Sequence, residues 1–105
     1  MSFVEKRTYT VEVGKIGAYL KLYEEEGLKV QTRILPRLVG YFTSEIGELN
    51  QIIHMWGYDS LDQRTEKRKE LFADPAWQAY VAKVRPLILR QESQLLIPTP
   101  WSPAK

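Results

Sequence analysis

Between Phe3 and Val13 the side chains alternate, with Glu5, Arg7, Tyr9, Val11 and Val13 on one side and Val4, Lys6, Thr8, Thr10 and Glu12 on the other. A period of two in a stretch rich in β-branched and aromatic residues predicts a strand. Gly14 breaks it. From Lys15 the period changes, and Ile16, Tyr19, Leu20, Tyr23, Gly27, Val30 and Ile34 recur at steps of three and four, the spacing of one helical stripe. Gly27 marks either an interruption of that helix or a point of close packing, and Glu24, Glu25 and Glu26 read as its solvated face. Pro36 ends the helix, because the residue before a proline is pushed out of the α region.

Two strand-like runs follow, Leu38 to Ser44 and Gln51 to Tyr58, and the turn formers Gly47 and Asn50 between them predict a hairpin. Ser60 with Gln63 three residues later matches a capping box, which predicts a helix from Leu61 through Arg64 and Arg68 to Phe72. Asp74-Pro75 restarts it as an N-cap with proline at the first helical position, and Trp77, Tyr80, Val81 and Val84 form its apolar stripe up to Pro86. A last strand is predicted from Leu89 to Ile97. Pro98, Pro100 and Pro103 cannot donate to a ladder, so residues 98–105 are expected to form an extended Pro-rich tail anchored by Trp101.

The order is β-α-β-β-α-β. Elements in this order predict an α+β fold, an antiparallel sheet with both helical layers on one face. The other face carries apolar side chains that these helices cannot cover, and pairing with a second copy is the expected remedy, so a homodimer is predicted.

Composition narrows the function classes. A chain of 105 residues is expected to form a single domain, 1–105. Lysine and arginine number 15 against 13 acidic residues, and the charges are scattered, which speaks against nucleic-acid binding. The absence of cysteine excludes disulfides, thiolate nucleophiles and Cys-ligated metals, and with one histidine a metal site is not expected. No apolar run is long enough for a membrane span and the start lacks the pattern of a signal peptide, so a soluble, cytoplasmic protein is expected.

Several segments together resemble the NIPSNAP family. They are Lys6-Arg7-Thr8-Tyr9-Thr10, the hairpin from Gly40-Tyr41-Phe42 to Leu49-Asn50, His54-Met55-Trp56-Gly57-Tyr58-Asp59-Ser60, Asp74-Pro75-Ala76-Trp77, and Gln91-Glu92-Ser93 with Pro98-Thr99-Pro100. The likeness runs from about Val4 to Pro103; Lys6 departs from it, standing where an apolar residue is more usual. It implies a ferredoxin-like sandwich forming a dimeric α/β barrel. Relatives of that fold include cofactor-free monooxygenases, isomerases and haem enzymes, which implies room for a pocket between sheet and helices without naming its occupant.

His54 is the sharpest candidate for chemistry, since imidazole alone titrates near neutrality in its unperturbed state. A lone histidine on a strand is also a common packed core residue. The expected catalytic pair is His54 as general acid or base and Arg7 stabilising negative charge. Tyr9, Tyr41, Trp56, Tyr58, Glu92 and Arg64 are the expected substrate-binding residues. The structural reading of Arg7 and Glu92 is a register-fixing ion pair. Arg64 and Arg68, one turn apart, can point the same way and attract an anion at a pocket mouth. Ser60 reads as a helix cap, not a nucleophile, and no phosphate loop or zinc or calcium motif occurs. His54 as an axial haem ligand has no supporting porphyrin signature, and no cofactor is expected.

Two readings follow. In the first, each protomer of a homodimer holds an apolar or aromatic carbonyl compound, with chemistry of the cofactor-independent monooxygenase or isomerase type. In the second, the protein is a non-enzymatic binding or scaffolding module acting through its dimer surface.

Overall fold

The computed structural model describes residues 1–104 and runs β1 (Phe3–Val11), α1 (Ile16–Leu22), a π-helical turn (Tyr23–Gly27), α2 (Leu28–Ile34), β2 (Leu38–Thr43), β3 (Gln51–Tyr58), α3 (Leu61–Ala73), α4 (Pro75–Val84), a short 3-10 turn (Arg85–Leu87) and β4 (Ile88–Leu96). The four strands form one antiparallel sheet in the order β2-β3-β1-β4. This is the β-α-β-β-α-β arrangement expected from the periodicities.

All four helices lie on one face. Phe3, Val11, Ile52, Trp56 and Tyr58 project from β1 and β3 into a core closed by Tyr19, Tyr23, Val30 and Ile34 of the first helical layer and Leu71, Trp77, Tyr80 and Val84 of the second. Burying these aromatic and aliphatic groups is the main favourable term, because it removes large apolar areas from water.

Local signals place the element ends. Gln63 donates its backbone N–H to the N-cap Ser60 Oγ at 3.0 Å, and its side-chain Oε1 accepts at 2.7 Å from the backbone N–H of Asp59, one residue before the cap, a variant of the expected capping box. Asp74 Oδ1 accepts from Ala76 at 2.8 Å and Trp77 at 3.4 Å, capping α4 ahead of Pro75. In the hairpin, Asn50 takes φ 61° and Gly47 φ 104°, the left-handed conformations that these residue types tolerate best.

The differences from expectation have local causes. β1 stops at Val11 because Lys15 N–H turns back to Glu12 C=O at 3.0 Å and Gly14 takes φ 81°, which leaves Val13 exposed. Leu20 lies at the margin of its helical stripe and is half exposed. Trp101 does not anchor the tail within this chain: it is 81 % exposed, and the tail folds only into a turn in which Ser102 N–H donates to Thr99 C=O. Lys105 of the predicted tail lies outside the described residues.

Gly27 is both an interruption and a close approach. It ends the π turn, and a Cβ there would sit 2.9 Å from Tyr23 Cδ1 and 3.0 Å from Tyr80 Cζ. The absent side chain lets α4 press its Tyr80 against the first helical layer.

The opposite face follows from the register. Thr8 and Lys6 of β1 pair with Ile53 and Met55 of β3, and Phe42 of β2 pairs with Ile53, so these side chains share the side away from the helices. Phe42 is 53 % exposed there.

Gly27→Ala is expected to destabilise the fold by about 2 kcal/mol through overpacking. Gly17→Ala in α1, where nothing lies within 4 Å of the added methyl, should be neutral or slightly stabilising. Urea midpoints of the two variants check this pair, and equal midpoints would contradict the packing role of Gly27.

Candidate functional site

The site is built outward from a buried acid. The alternation of β1 puts Glu5 on the core face, where its side chain is wholly removed from water. An isolated buried carboxylate is costly, so it must be paired and hydrogen-bonded. Arg64 of α3 supplies a two-pronged contact, Nε to Oε1 at 3.0 Å and Nη2 to Oε2 at 2.8 Å. Arg7 Nη1 donates to Oε2 at 3.1 Å, and Ser93 of β4 donates its hydroxyl to the same oxygen at 2.5 Å. Burial alone would raise the pKa of Glu5, but the hydrogen bonds from Arg64 and Ser93 and the charges of Arg7 and Arg64 outweigh it and bring it from 4.5 to about 2. One carboxylate thereby ties β1, β4 and α3 together.

Arg7 also donates Nε–H to Tyr9 Oη at 3.1 Å. Beyond Tyr9 lies an aromatic array. The His54 ring stacks on Tyr41 with centroids 4.8 Å apart and meets Tyr9 edge-on at 4.9 Å. Tyr41 in turn stacks on Tyr23 at 4.7 Å, and the hydroxyls of Tyr19 and Tyr41 share a hydrogen bond of 2.9 Å. Tyr23 donates its hydroxyl to Gln31 Oε1 at 2.6 Å.

The histidine is chemically specified by its neighbour two residues on. Trp56 donates its indole N–H to His54 Nδ1 at 2.7 Å. Indole can only donate, so Nδ1 is the acceptor and the imidazole proton sits on Nε2. Nε2 is buried and has no hydrogen-bond partner among the described residues. Burial, reinforced by the positive charge of Arg7, lowers the pKa of His54 from 6.5 to about 3. At neutral pH the ring is therefore uncharged, with Nδ1 taken by the Trp56 indole and an N–H at Nε2.

A cavity of about 150 Å³ lies between sheet and helices beside this array. Arg7, Tyr9, Tyr41 and His54, four of the residues expected from the sequence, line it together. Tyr19, Tyr23 and Tyr80 add three more phenols to its wall, and Arg68 of α3 and Arg85 after α4 add two more guanidinium groups. Burial is the leading cause that raises the pKa of all the wall tyrosines with a resolved shift, Tyr19 to about 12 and Tyr23, Tyr41 and Tyr80 further, so these phenols stay protonated.

The other expected site residues stand elsewhere. Trp56 is buried behind His54, and Tyr58 packs on Phe3 with ring centroids 5.8 Å apart; neither reaches the cavity wall. Arg64 is taken up by Glu5. Glu92 is a clear correction: it pairs in register with Thr8, on the face away from the helices, and makes its ion pair with Arg90, so it neither meets Arg7 nor enters the cavity. The period of two in β4 sends Ser93, not Glu92, toward Arg7.

Glu5 and the tyrosines of α1, the π turn and α4 are the members missed in the sequence. Their signals were present. Glu5 shares a strand face with Arg7, Tyr9 and Val11, and a charge on a core face demands a partner. Tyr19, Tyr23 and Tyr80 occupy stripe positions where leucine would bury as well without a hydroxyl to satisfy.

Among the described residues, no group of three His, Cys, Asp or Glu side chains is placed to hold a metal ion, and no helix is long and apolar enough to cross a membrane.

Comparison with known proteins adds four findings. A family model described as NIPSNAP matches residues 4–103. Human NipSnap homolog 3A is 35% identical over 101 residues, covering 94% of this chain and 40% of its own length, so the chain spans about two fifths of that relative. A crystal structure of a NIPSNAP family protein from Agrobacterium tumefaciens is 47% identical, covers 100% of both chains and superposes with a TM-score of 0.97. The fold extends further: a putative antibiotic biosynthesis monooxygenase from Chloroflexus aurantiacus superposes with a TM-score of 0.62 over 94% of each chain at 17% identity, a likeness of ferredoxin-like α+β architecture alone.

Acid should weaken the fold before any carboxylate of ordinary pKa titrates. Between pH 6.5 and about 3 the unfolded chain binds a proton at His54 that the folded chain excludes, so stability is complete above 6.5 and declines as pH falls toward 3. The Glu5 contribution, complete above pH 4.5, declines in its turn as pH falls toward 2. Urea midpoints at pH 7 and 5 should therefore fall for the native chain and stay level for His54→Gln. Removing the acid instead, as Glu5→Gln, leaves Arg7 and Arg64 without their counter-charge and should cost about 3 kcal/mol at pH 7.

Proposed function

The chain belongs to the NIPSNAP family, and from that premise we propose that it binds a small aromatic or apolar carbonyl compound in the cavity between sheet and helices. The observation that carries this reading is the buried, unpartnered Nε2–H of His54 in the cavity wall. Buried polar groups are satisfied in more than about nine cases in ten, and a carbonyl oxygen of a bound compound is the acceptor this donor fits. Trp56 fixes the tautomer, while Tyr41 stacks on the ring and fixes its plane. Such a donor polarises a carbonyl without needing to lose its proton. Arg7, oriented by Glu5 and Tyr9, opposes negative charge as it gathers on the oxygen.

The chemistry these residues support is cofactor-independent and isomerase-like, or monooxygenase-like, in which an enolate-type oxygen is stabilised. A cavity of about 150 Å³ accepts one aromatic ring, the scale at which an apolar protein cavity takes up benzene.

The protein acts in this reading as a homodimer in which two sheets meet through Phe42, Ile53, Met55 and their neighbours, the face that its own helices leave uncovered. Sedimentation should give a dimer at micromolar concentration and a monomer for Ile53→Asp. A native chain that stays monomeric at millimolar concentration removes this part of the proposal.

A second reading, a binding or scaffolding module working through the dimer surface, is favoured by the exposed Ile46 at the hairpin tip and Trp101 in the tail. The two readings part on ligand binding. Acetophenone, used as a neutral carbonyl probe, should shift the His54 Nε2–H resonance in a titration followed by NMR. His54→Phe keeps the ring stack and removes the donor, so it should weaken the probe up to about tenfold, the worth of one hydrogen bond. An unmoved resonance with equal affinity in the variant would exclude His54 as the carbonyl's donor.

A further inference from the structure

The wall of the cavity is unbalanced in charge. Arg7, Arg68 and Arg85 line it, and among the described residues no Asp or Glu does. The nearby acid is Glu5, a single negative charge already shared between Arg7 and Arg64. Counting this cluster alone, Arg7, Arg64 and Arg68 against Glu5 leave two positive charges in excess.

Arg68 carries the imbalance. Among the described residues no carboxylate forms an ion pair with it; its guanidinium lies over the Phe72 ring, 5.3 Å from the centroid. Burial lowers its pKa, and the charge of Arg7 lowers it further, so its charged form meets both desolvation and like-charge repulsion. Arginine does not lose its proton in proteins, and an anion bound nearby is what relieves both.

The remaining walls describe the rest of the ligand. Tyr9, Tyr19, Tyr23, Tyr41 and Tyr80 line the cavity beside the arginines, so much of its wall is aromatic. A guanidinium offers a planar fork that matches a carboxylate.

We infer that the cavity takes a monoanionic acid with a single aromatic ring, its carboxylate met by Arg68 and Arg7 and its ring lodged among the tyrosines. The inference rests on the small-molecule reading above and sharpens it from a carbonyl compound to an aromatic carboxylate. His54 Nε2–H remains available to one carboxylate oxygen.

Benzoate and benzamide test it, being equal in size and shape and different in charge. Calorimetric titration of the native chain should show benzoate binding at least tenfold more tightly than benzamide. Raising the salt concentration should weaken benzoate and leave benzamide unchanged, a readout that needs no variant. Arg68→Met should reduce benzoate to the level of benzamide while moving benzamide less than twofold, and Arg68→Lys should restore part of the difference. Equal affinities for the two probes overturn the inference and leave the small-molecule reading standing. Binding of neither, by a chain whose circular dichroism and urea midpoint are normal, overturns both. Displacement of benzoate by inorganic phosphate at equal concentration overturns the aromatic acid in favour of a general anion site.

Discussion

The arrangement depends on one carboxylate that has no access to water. Glu5 is held by Arg7 from its own strand, Arg64 from α3 and Ser93 from β4. Charge-assisted hydrogen bonds of this kind are strong and directional, and the cost of leaving any of them unmade in the interior is larger than the gain from making it. The register of β4 against β1 and the seat of α3 on the sheet therefore move together. Because the acid faces the core, Arg7 does too, and it lines the neighbouring cavity together with Arg68 and Arg85.

From that clamp outward, each polar group is set by the one before it. Glu5 orients Arg7, Arg7 reaches Tyr9, and Tyr9 meets the edge of His54. On the other flank Trp56 holds Nδ1 of the same imidazole. The result is a ring whose position, tautomer and charge are set by its packing. The surrounding phenols are kept protonated by burial, so the interior supplies donors and aromatic faces, and among the described residues Glu5 is its one buried acid.

A fold shared at 17% identity with a putative monooxygenase says how the backbone runs, and the chemistry belongs to the side chains grafted on it. Around its cavity this chain places tyrosines of α1, the π turn and α4, a strand histidine held by a tryptophan, and three arginines. Gly27 lets Tyr80 come close to Tyr23, and so contributes to the shape of the cavity without lining it.

Local chemistry made most of the architecture legible. Ser60 and Asp74 announce their helices because capping is a matter of three or four neighbouring residues, and the alternation in β1 and β3 names the core face because a strand's period leaves no other choice. The same alternation puts Arg7 and Tyr9 on one face of β1 and His54 with Trp56 on one face of β3; that the two faces coincide came only with the register that pairs Arg7 with His54. What the sequence could not decide was partnership between elements distant along the chain. Glu5 could equally have met Arg7 alone; that Arg64 and Ser93 converge on it depends on strand order and on how α3 settles over the sheet. Glu92 went to the outer face because the register of β4 against β1 brings Ser93, one residue on, opposite Arg7. The charge of His54 likewise came from packing, since an imidazole's pKa is set by what surrounds it, and only the folded chain brings Trp56, Tyr41 and Arg7 around one ring.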